Sequence, residues 1–243
     1  MRIEGRLTGR EHRFTRRRVK GAIYGLRERW GDWLLTALTI LLFTMMFVVA
    51  PVQAAFDGGF DYFAAGIALL MIAGALILSG SMIVMLLMVL GFALNVVVVI
   101  NRLHGAHGDY DLYILSLGWL VVSITLGVVV ARAVFSGGRV SLHRSVGAIL
   151  LYMLVAIAFV ALYLIVGLSA PDAFKNMSFE DTPELTSQLI YFSCATLTTV
   201  GYGDIAPVNP FARSLSNLEA VVGQLYPAIL IARLVTLHLQ EER

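Results

Sequence analysis

A hexapeptide near the end of the chain carries the residues best suited to binding an ion. It reads TVGYGD and consists of Thr199, Val200, Gly201, Tyr202, Gly203 and Asp204. Long apolar stretches flank it, and in hydrocarbon each unsatisfied backbone group costs several kcal/mol. Carbonyls that all face one way therefore need a ligand, which a row of dehydrated cations would provide. The two glycines can adopt conformations closed to residues with a Cβ, so successive carbonyls can turn toward one axis. Val200 and Tyr202 would then face away from it.

The motif resembles the selectivity filter of the potassium-channel family, in which four such loops surround a fourfold axis. The match runs from Thr196 to Asp204, further than the bare Gly-Tyr-Gly of a chance turn. The resemblance implies a homotetramer with one loop per chain. It implies that the carbonyls of residues 199–202 and the Thr199 hydroxyl replace the water shell of K⁺. It also places Gly203 among the ion-binding residues and Thr198 and Asp204 beside them as support.

The composition predicts an all-α membrane protein. Hydrophobic residues make up 58% of the chain and charged residues 14%, against about 25% charged residues in soluble proteins. Charge-free stretches cover residues 33–56, 62–101, 112–131 and 145–171, and a spanning helix needs roughly 20 residues. The second stretch is long enough for two helices, with a turn at residues 79–81. We expect six transmembrane helices, near residues 33–54, 61–79, 81–101, 111–135, 145–169 and 211–238, with a re-entrant helix before the filter.

The distribution of charge predicts the orientation. Ten of the 18 Lys and Arg residues precede Trp33, so the positive-inside rule makes residues 1–32 a cytoplasmic segment. Six crossings then place both termini in the cytoplasm and the filter mouth outside a plasma or inner membrane. The basic segment suits a topology signal and also anionic lipid. Nucleic acid is not expected, because the segment adjoins a membrane span and has few aromatic residues.

Four parts follow from this topology. They are the basic segment at 1–32, a four-helix domain at 33–135, a pore domain at 145–238 and a short cytoplasmic tail at 239–243. We expect no regulatory domain after the tail and no cleavable signal peptide, since the first apolar run is long enough to span. The single cysteine, Cys194, is interpreted as a small packing residue.

The re-entrant helix has clear sequence limits. Thr182 is a good N-cap, Pro183 suits the first turn and Glu184 complements the positive end of the helix dipole. The helix should end near Leu197, with its negative end aimed at the cavity below the filter. In the resembled family, Tyr191 and Phe192 occupy positions that support the filter as an aromatic cuff. Tyr191 could donate its hydroxyl to Asp204, whereas Phe192 cannot donate.

Three residues of the last helix are candidates for gating. Gly223 matches the glycine hinge of the resembled family, but a small residue for close helix packing is an equal alternative. Pro227 lies four residues later, so it cannot donate to the carbonyl of Gly223 and favours a bend. Glu219 is an acid deep in a spanning segment, which makes it a functional candidate. A structural role, hydrogen-bonded against the pore helix, is the favoured interpretation.

The first four helices offer little for voltage sensing. Their fourth helix carries Arg132 alone, so we expect weak or absent voltage dependence. His104 and His107, with Asp109 and Asp111, could form a metal or proton sensor, although solvated loop residues are favoured.

The predicted function is passive, selective K⁺ conduction, with K⁺ as the permeant ion and no cofactor. A less selective cation channel of the same fold is one alternative, and a subunit of a potassium uptake transporter is another. An enzyme is not expected, because the sequence has no phosphate-binding loop, metal-ligand set or pair of nucleophile and base.

Overall fold

A computed structural model describes residues 33, 35–56, 63, 66–68, 82–103, 109–135, 142–170 and 172–241. Of the described residues, 85% lie in helices. The elements in chain order are α1 (Leu35–Ala55), α2 (Met82–Leu103), α3 (Asp109–Phe135), α4 (Leu142–Ser169), β1 (Phe174–Lys175), α5 (Pro183–Leu197), β2 (Ala206–Pro207) and α6 (Pro210–Glu241).

Five helices among the described residues are long and apolar enough to cross a membrane. Their spanning parts are Leu35–Ala55, Met82–Asn101, Tyr110–Phe135, Ser145–Ser169 and Pro210–Arg233. They agree with five of the six predicted spans, and the protein is a helical membrane protein. The predicted span at 61–79 lies largely outside the described residues, as do the basic segment at 1–32, His104 and His107. Helix α6 continues to Glu241 and so includes most of the predicted tail.

Helix α1 contains a π-helical turn at Met45–Val49, directly before Pro51. The proline nitrogen has no proton to donate to the carbonyl one turn earlier, so the regular helical ladder is interrupted at this point. Beyond the turn, α1 packs against α5. The first helix therefore reaches the element that precedes the filter.

Helix α4 is the centre of the described fold, since it packs against α3, α5 and α6. Leu150, Val160 and Ala161 of α4 have no solvent exposure, and neither do Leu126 and Val130 of α3. These apolar contacts hold α3 and α4 side by side. They leave α5 and α6 on the opposite flank of α4, where the filter lies.

Two short strands make a small exception to the predicted all-α fold. Strands β1 and β2 pair antiparallel, with Phe174 opposite Pro207 and Lys175 opposite Ala206. Two-residue strands are too short to leave an alternating pattern in the sequence. Their pairing brings the chain before α5 next to the chain after the filter.

The position of Asp111 differs from the one predicted from the sequence. Helix α3 begins at Asp109, so Asp111 lies inside the helix, where it is 3% exposed and accepts a hydrogen bond of 2.9 Å from Asn101 of α2. The interpretation of Asp111 as a solvated loop residue was therefore wrong, because its side chain is buried against α2. Within the described residues, no group of three or more His, Cys, Asp or Glu side chains is placed to hold a metal ion.

Candidate ion-conducting site

The filter segment has an unusual backbone. The φ angle is positive at every second residue: +60° at Thr199, +53° at Gly201 and +80° at Gly203. A β-strand has negative φ throughout, whereas alternating signs turn successive peptide planes the same way. For Thr199, a β-branched residue, positive φ is a strained conformation of the kind that clusters at functional sites.

The N–H groups of the filter are held by the end of helix α5. The C-cap residue Thr198 and two residues of the filter donate to carbonyls of its last turn, which have no donor inside the helix. The bonds run from Thr198 to Cys194 (3.0 Å), from Thr199 to Thr196 (2.9 Å) and from Gly201 to Ala195 (3.1 Å). The free carbonyls at the end of α5 therefore find their hydrogen-bond donors in the residues at the start of the filter.

The carbonyls of the filter are left available. Within the described part of the chain, none of the carbonyls of residues 199–203 accepts a hydrogen bond. The row stops at Asp204, whose carbonyl accepts a bond of 2.7 Å from the Asn176 side chain. Five consecutive carbonyl oxygens, with the Thr199 hydroxyl at one end, are thus free to replace water around a cation.

The side chains of Val200 and Tyr202 lie on one side of the segment. Both line a cavity of about 330 Å³, together with Ala195 of α5 and Phe47 of α1. The Thr199 hydroxyl is directed elsewhere, toward α6, where it accepts a hydrogen bond of 2.7 Å from Gln224. This arrangement separates the apolar side chains from the polar groups of the segment.

Tyr191 contacts the Asp204 end of the filter segment in two ways. Its hydroxyl donates to the Asp204 carboxylate over 2.7 Å, and its ring stacks on that of Tyr202, with centroids 5.9 Å apart and planes at 10°. The hydrogen bond from Tyr191 and the one from the Ile205 N–H hold the pKa of the Asp204 carboxyl below its usual value. The hydrogen bond expected between Tyr191 and Asp204 is present.

Phe192 lies on another side of α5 from Tyr191. It is buried and packs edge-to-face against Tyr163, at 4.9 Å, and against Phe174, at 5.4 Å. Neighbouring residues of a helix point about 100° apart, so Tyr191 and Phe192 cannot face the filter together within one chain. Within the chain, Phe192 belongs to the aromatic core behind α5, and its part in a cuff around an assembled filter stays a prediction.

Glu219 joins three helices. It has no solvent exposure, and its carboxyl oxygens bond the hydroxyl of Tyr163 from α4 and, at 2.6 Å, that of Ser193 from α5. The Ser193 hydroxyl also lies 3.0 Å from the Ala156 carbonyl. Two hydroxyl protons cannot fill three hydrogen bonds, but a protonated Glu219 supplies the third. The neutral acid therefore completes the network, as the favoured structural interpretation requires.

Gly223 lies where helix α6 crosses the end of α5. A Cβ at this position would be 1.8 Å from the carbonyl oxygen of Leu197, which also accepts a hydrogen bond of 3.2 Å from Tyr152. The close approach accounts for glycine by packing alone, and the hinge stays a prediction. Pro227 lies inside an uninterrupted helix, so the bend expected there also stays a prediction.

Sequence reasoning missed several polar contacts of the site. Tyr163, Ser193 and Gln224 were not singled out, nor was Tyr226, whose hydroxyl donates to the Ala148 carbonyl over 2.7 Å. The sequence carried one signal for Gln224, because it is an amide in an apolar span and directly follows the hinge candidate Gly223.

Comparison with known proteins identifies this part of the molecule. The sequence model of a family described as "Ion channel" matches residues 147–239, which contain nearly all of α4, the pore helix α5, the filter and α6. The fold and the site therefore define an ion-channel pore domain in a membrane protein.

Two curated relatives place the domain more closely. Protein LctB of Bacillus caldotenax is 31% identical over 87 residues, which are 35% of this chain and 64% of LctB. The inward rectifier potassium channel Kirbac3.1 of Paramagnetospirillum magnetotacticum is 33% identical over 69 residues, 28% of this chain and 22% of that protein. The matches thus span less than two thirds of either relative. The resemblance to the potassium-channel family is thus confirmed for this region of the chain. No solved structure matches significantly.

Proposed function

We propose that the chain is one subunit of a potassium-selective channel that conducts K⁺ passively through the segment at 199–203. The observation that carries the proposal is the row of free carbonyls at 199–203, in a segment that the N–H groups of Thr199 and Gly201 attach to helix α5. A cation that loses its water at this row regains oxygen ligands without any further rearrangement of the backbone.

A single segment cannot surround an ion, so the proposal includes a C4 homotetramer, the closed ring that identical subunits form most directly. Exposure of the pore region supports it. Tyr202 is 71% exposed and Phe211 79%, which are high values for aromatic residues beside a membrane pore. Only 17% of the most apolar stretch of α6 is buried, against 61% for α4. Neighbouring copies would cover these surfaces.

The proposal also fixes the setting of the channel. It includes six crossings of a plasma or inner membrane with cytoplasmic termini, supported by the basic segment at 1–32, by the five apolar helices of the structure and by the sixth span predicted at 61–79. The negative end of the α5 dipole then points into the membrane from the filter side and favours a cation in the cavity below. With Arg132 as the lone cation of α3 near its end, gating by voltage is weak or absent.

Reconstitution tests the proposal directly. Purified protein in liposomes should release K⁺ much faster than Na⁺ under equal gradients, and its mass in detergent should be that of four chains. Gly201→Ala should abolish the preference, because φ at this position is +53° and a Cβ resists that conformation.

The matched control is Gly127→Ala in α3, where a Cβ would make an ordinary contact of 3.7 Å with Leu151. This variant should conduct as the wild type does. Equal K⁺ and Na⁺ rates in the wild type would favour the less selective cation channel. A monomeric or dimeric protein, or K⁺ movement only when coupled to another gradient, would instead favour a transporter subunit.

A further inference from the structure

Gln224 connects the last helix to the start of the filter. Its side-chain nitrogen lies 2.7 Å from the hydroxyl oxygen of Thr199, and the two residues are 25 positions apart in the chain. The amide nitrogen carries only donor protons, so Gln224 donates and the Thr199 hydroxyl accepts.

The backbone next to Gln224 explains why the contact forms. At Gly223, helix α6 approaches the Leu197 carbonyl so closely that a Cβ would be 1.8 Å from it. Leu197 is the last residue of α5, and Thr199 follows two positions later. The missing side chain at Gly223 therefore brings the next residue of α6 level with the first residue of the filter.

The contact has a chemical consequence for the hydroxyl. A threonine hydroxyl has two lone pairs and one proton. When Gln224 donates to one lone pair, the group is held in one orientation and the other lone pair remains available to an ion. A ligand fixed before binding spares the cost of ordering it afterwards.

We propose that Gln224 is a positioning residue that orients the Thr199 hydroxyl as an ion ligand and so sets the affinity of the innermost cation site. The inference rests on the proposed function, because it assumes that ions pass along residues 199–203. It goes further by tying this site to the position of α6. A bend of α6 at Gly223 or Pro227 moves the amide and releases the hydroxyl.

Ba²⁺ is a suitable probe, because it is close to K⁺ in size but carries twice the charge and so binds the same oxygen sites for longer. Its affinity for purified protein is measured by calorimetry, alongside Ba²⁺ inhibition of K⁺ release from liposomes. Four proteins form a cycle: the wild type, Gln224→Leu, Thr199→Val and the double variant. Calorimetry reports on each of them even where conduction is slow. Gln224→Asn, which keeps the amide but shortens its reach, is a second test if Gln224→Leu folds poorly.

We expect Gln224→Leu and Gln224→Asn to weaken Ba²⁺ binding by about threefold to tenfold, which corresponds to the net free energy of one hydrogen bond. In the Thr199→Val background, loss of Gln224 should have no further effect, since the acceptor is already gone. Thr236→Val is the matched control, because the Thr236 hydroxyl bonds the Ala232 carbonyl of its own helix. It should bind Ba²⁺ as the wild type does.

The outcomes separate the two proposals. A K⁺-selective wild type whose Ba²⁺ affinity is unchanged by both Gln224 variants would overturn this inference and leave the proposed function standing. Equal weakening by Gln224→Leu with and without the Thr199 hydroxyl would also overturn it, because the effect would then be structural. A wild type that does not prefer K⁺ would overturn the proposed function and this inference together.

Discussion

The pore region and the helices before it use polar side chains in different ways. In α1 and α3, the hydroxyls of Thr44 and Ser123 donate to carbonyls one turn earlier in their own helix. In the pore region, the hydroxyls of Tyr152, Ser193 and Tyr226 donate to other elements. The earlier helices also bond across elements, from Asn101 to Asp111 and from Thr39 to the Val146 carbonyl, but the pore region has more hydroxyls that fix one element against another.

The difference shows what each region requires of its sequence. Apolar packing between helices tolerates many substitutions of similar volume, but a hydrogen bond between helices needs particular atoms at particular distances. The pore region should therefore be far more sensitive to small changes than the helices before it. Four predictions test this comparison, from the largest expected effect to the smallest.

The largest effect is expected from Gly223→Ala. The added Cβ would lie 1.8 Å from a backbone oxygen, and no side-chain rotation relieves that overlap. Overpacking costs typically 1–3 kcal/mol and occasionally more, so we expect at least about 3 kcal/mol here, seen as a lower unfolding temperature and loss of assembled protein. Gly127→Ala in α3 supplies the contrast, because Ala in a helix interior is favoured by about 1 kcal/mol over Gly. Equal stability of the two variants would contradict the comparison.

Replacement of Glu219 should have the next largest effect. Glu219→Leu leaves the Tyr163 hydroxyl without its acceptor in a buried site and removes the bond to Ser193, and an unsatisfied buried group costs about 1–3 kcal/mol. Glu219→Gln should cost less than about 1 kcal/mol, because a neutral amide can accept from Tyr163 and donate to Ser193. Thermal unfolding in detergent compares the two. If Glu219→Gln proved as damaging as Glu219→Leu, the neutral form inferred for Glu219 would be wrong.

Tyr191→Phe should change the response of the pore to acid. Because the Tyr191 hydroxyl lowers the pKa of Asp204, the contribution of the ionised carboxylate is present above its unfolded pKa and is lost as the pH falls through its folded pKa. Without the hydroxyl, the folded pKa rises toward the usual value near 3.9, and the loss should begin at a higher pH.

K⁺ release from liposomes, followed as the pH is lowered from 7 to 3, measures the shift caused by Tyr191→Phe. Tyr110→Phe is the matched control, since Tyr110 is 82% exposed on α3 and lies far from the filter in the sequence. Superimposable acid profiles for wild type and Tyr191→Phe would show that the hydrogen bond to Asp204 does not support the filter.

The smallest effect is expected from Arg233→Gln. The Arg233 guanidinium donates to the Phe135 carbonyl at the end of α3 and lies over the Phe135 ring, 4.9 Å from its centroid. A cation over an aromatic ring contributes about 0.5–1 kcal/mol at exposed sites, so unfolding should change little. The rate of K⁺ release should change about twofold, because α6 loses a tie to the earlier helices. The control is Arg132→Gln, on the exposed side of α3, which should leave the rate of K⁺ release unaltered. If both variants changed the rate equally, the contact of Arg233 with Phe135 would not be what couples α6 to α3.

The sequence was sufficient for features that depend on neighbouring residues. Thr182, Pro183 and Glu184 predicted the start of α5, and the structure begins and ends this helix at Pro183 and Leu197. Five spans followed from apolar length alone. Capping and hydrophobic length are local properties, which explains why they can be recognised in one sequence.

The features that sequence reasoning missed depend on distant residues. Tyr163 and Glu219 are 56 positions apart, and Ser193 and Glu219 are 26 apart. Membrane helices are apolar on most sides, so the pattern does not say which face meets which neighbour. The pairing of β1 with β2 was missed for the same reason.

The small ladder between β1 and β2 has one more consequence. It joins the chain before α5 to the chain after the filter, and paired strands are about 5 Å apart. Residues 176–205 therefore begin and end at two adjacent points of the chain. The two ends of this segment are thus close together, and its attachment to the rest of the subunit takes up little space. In the proposed tetramer, this close attachment leaves room for four copies of the segment to converge on the central axis.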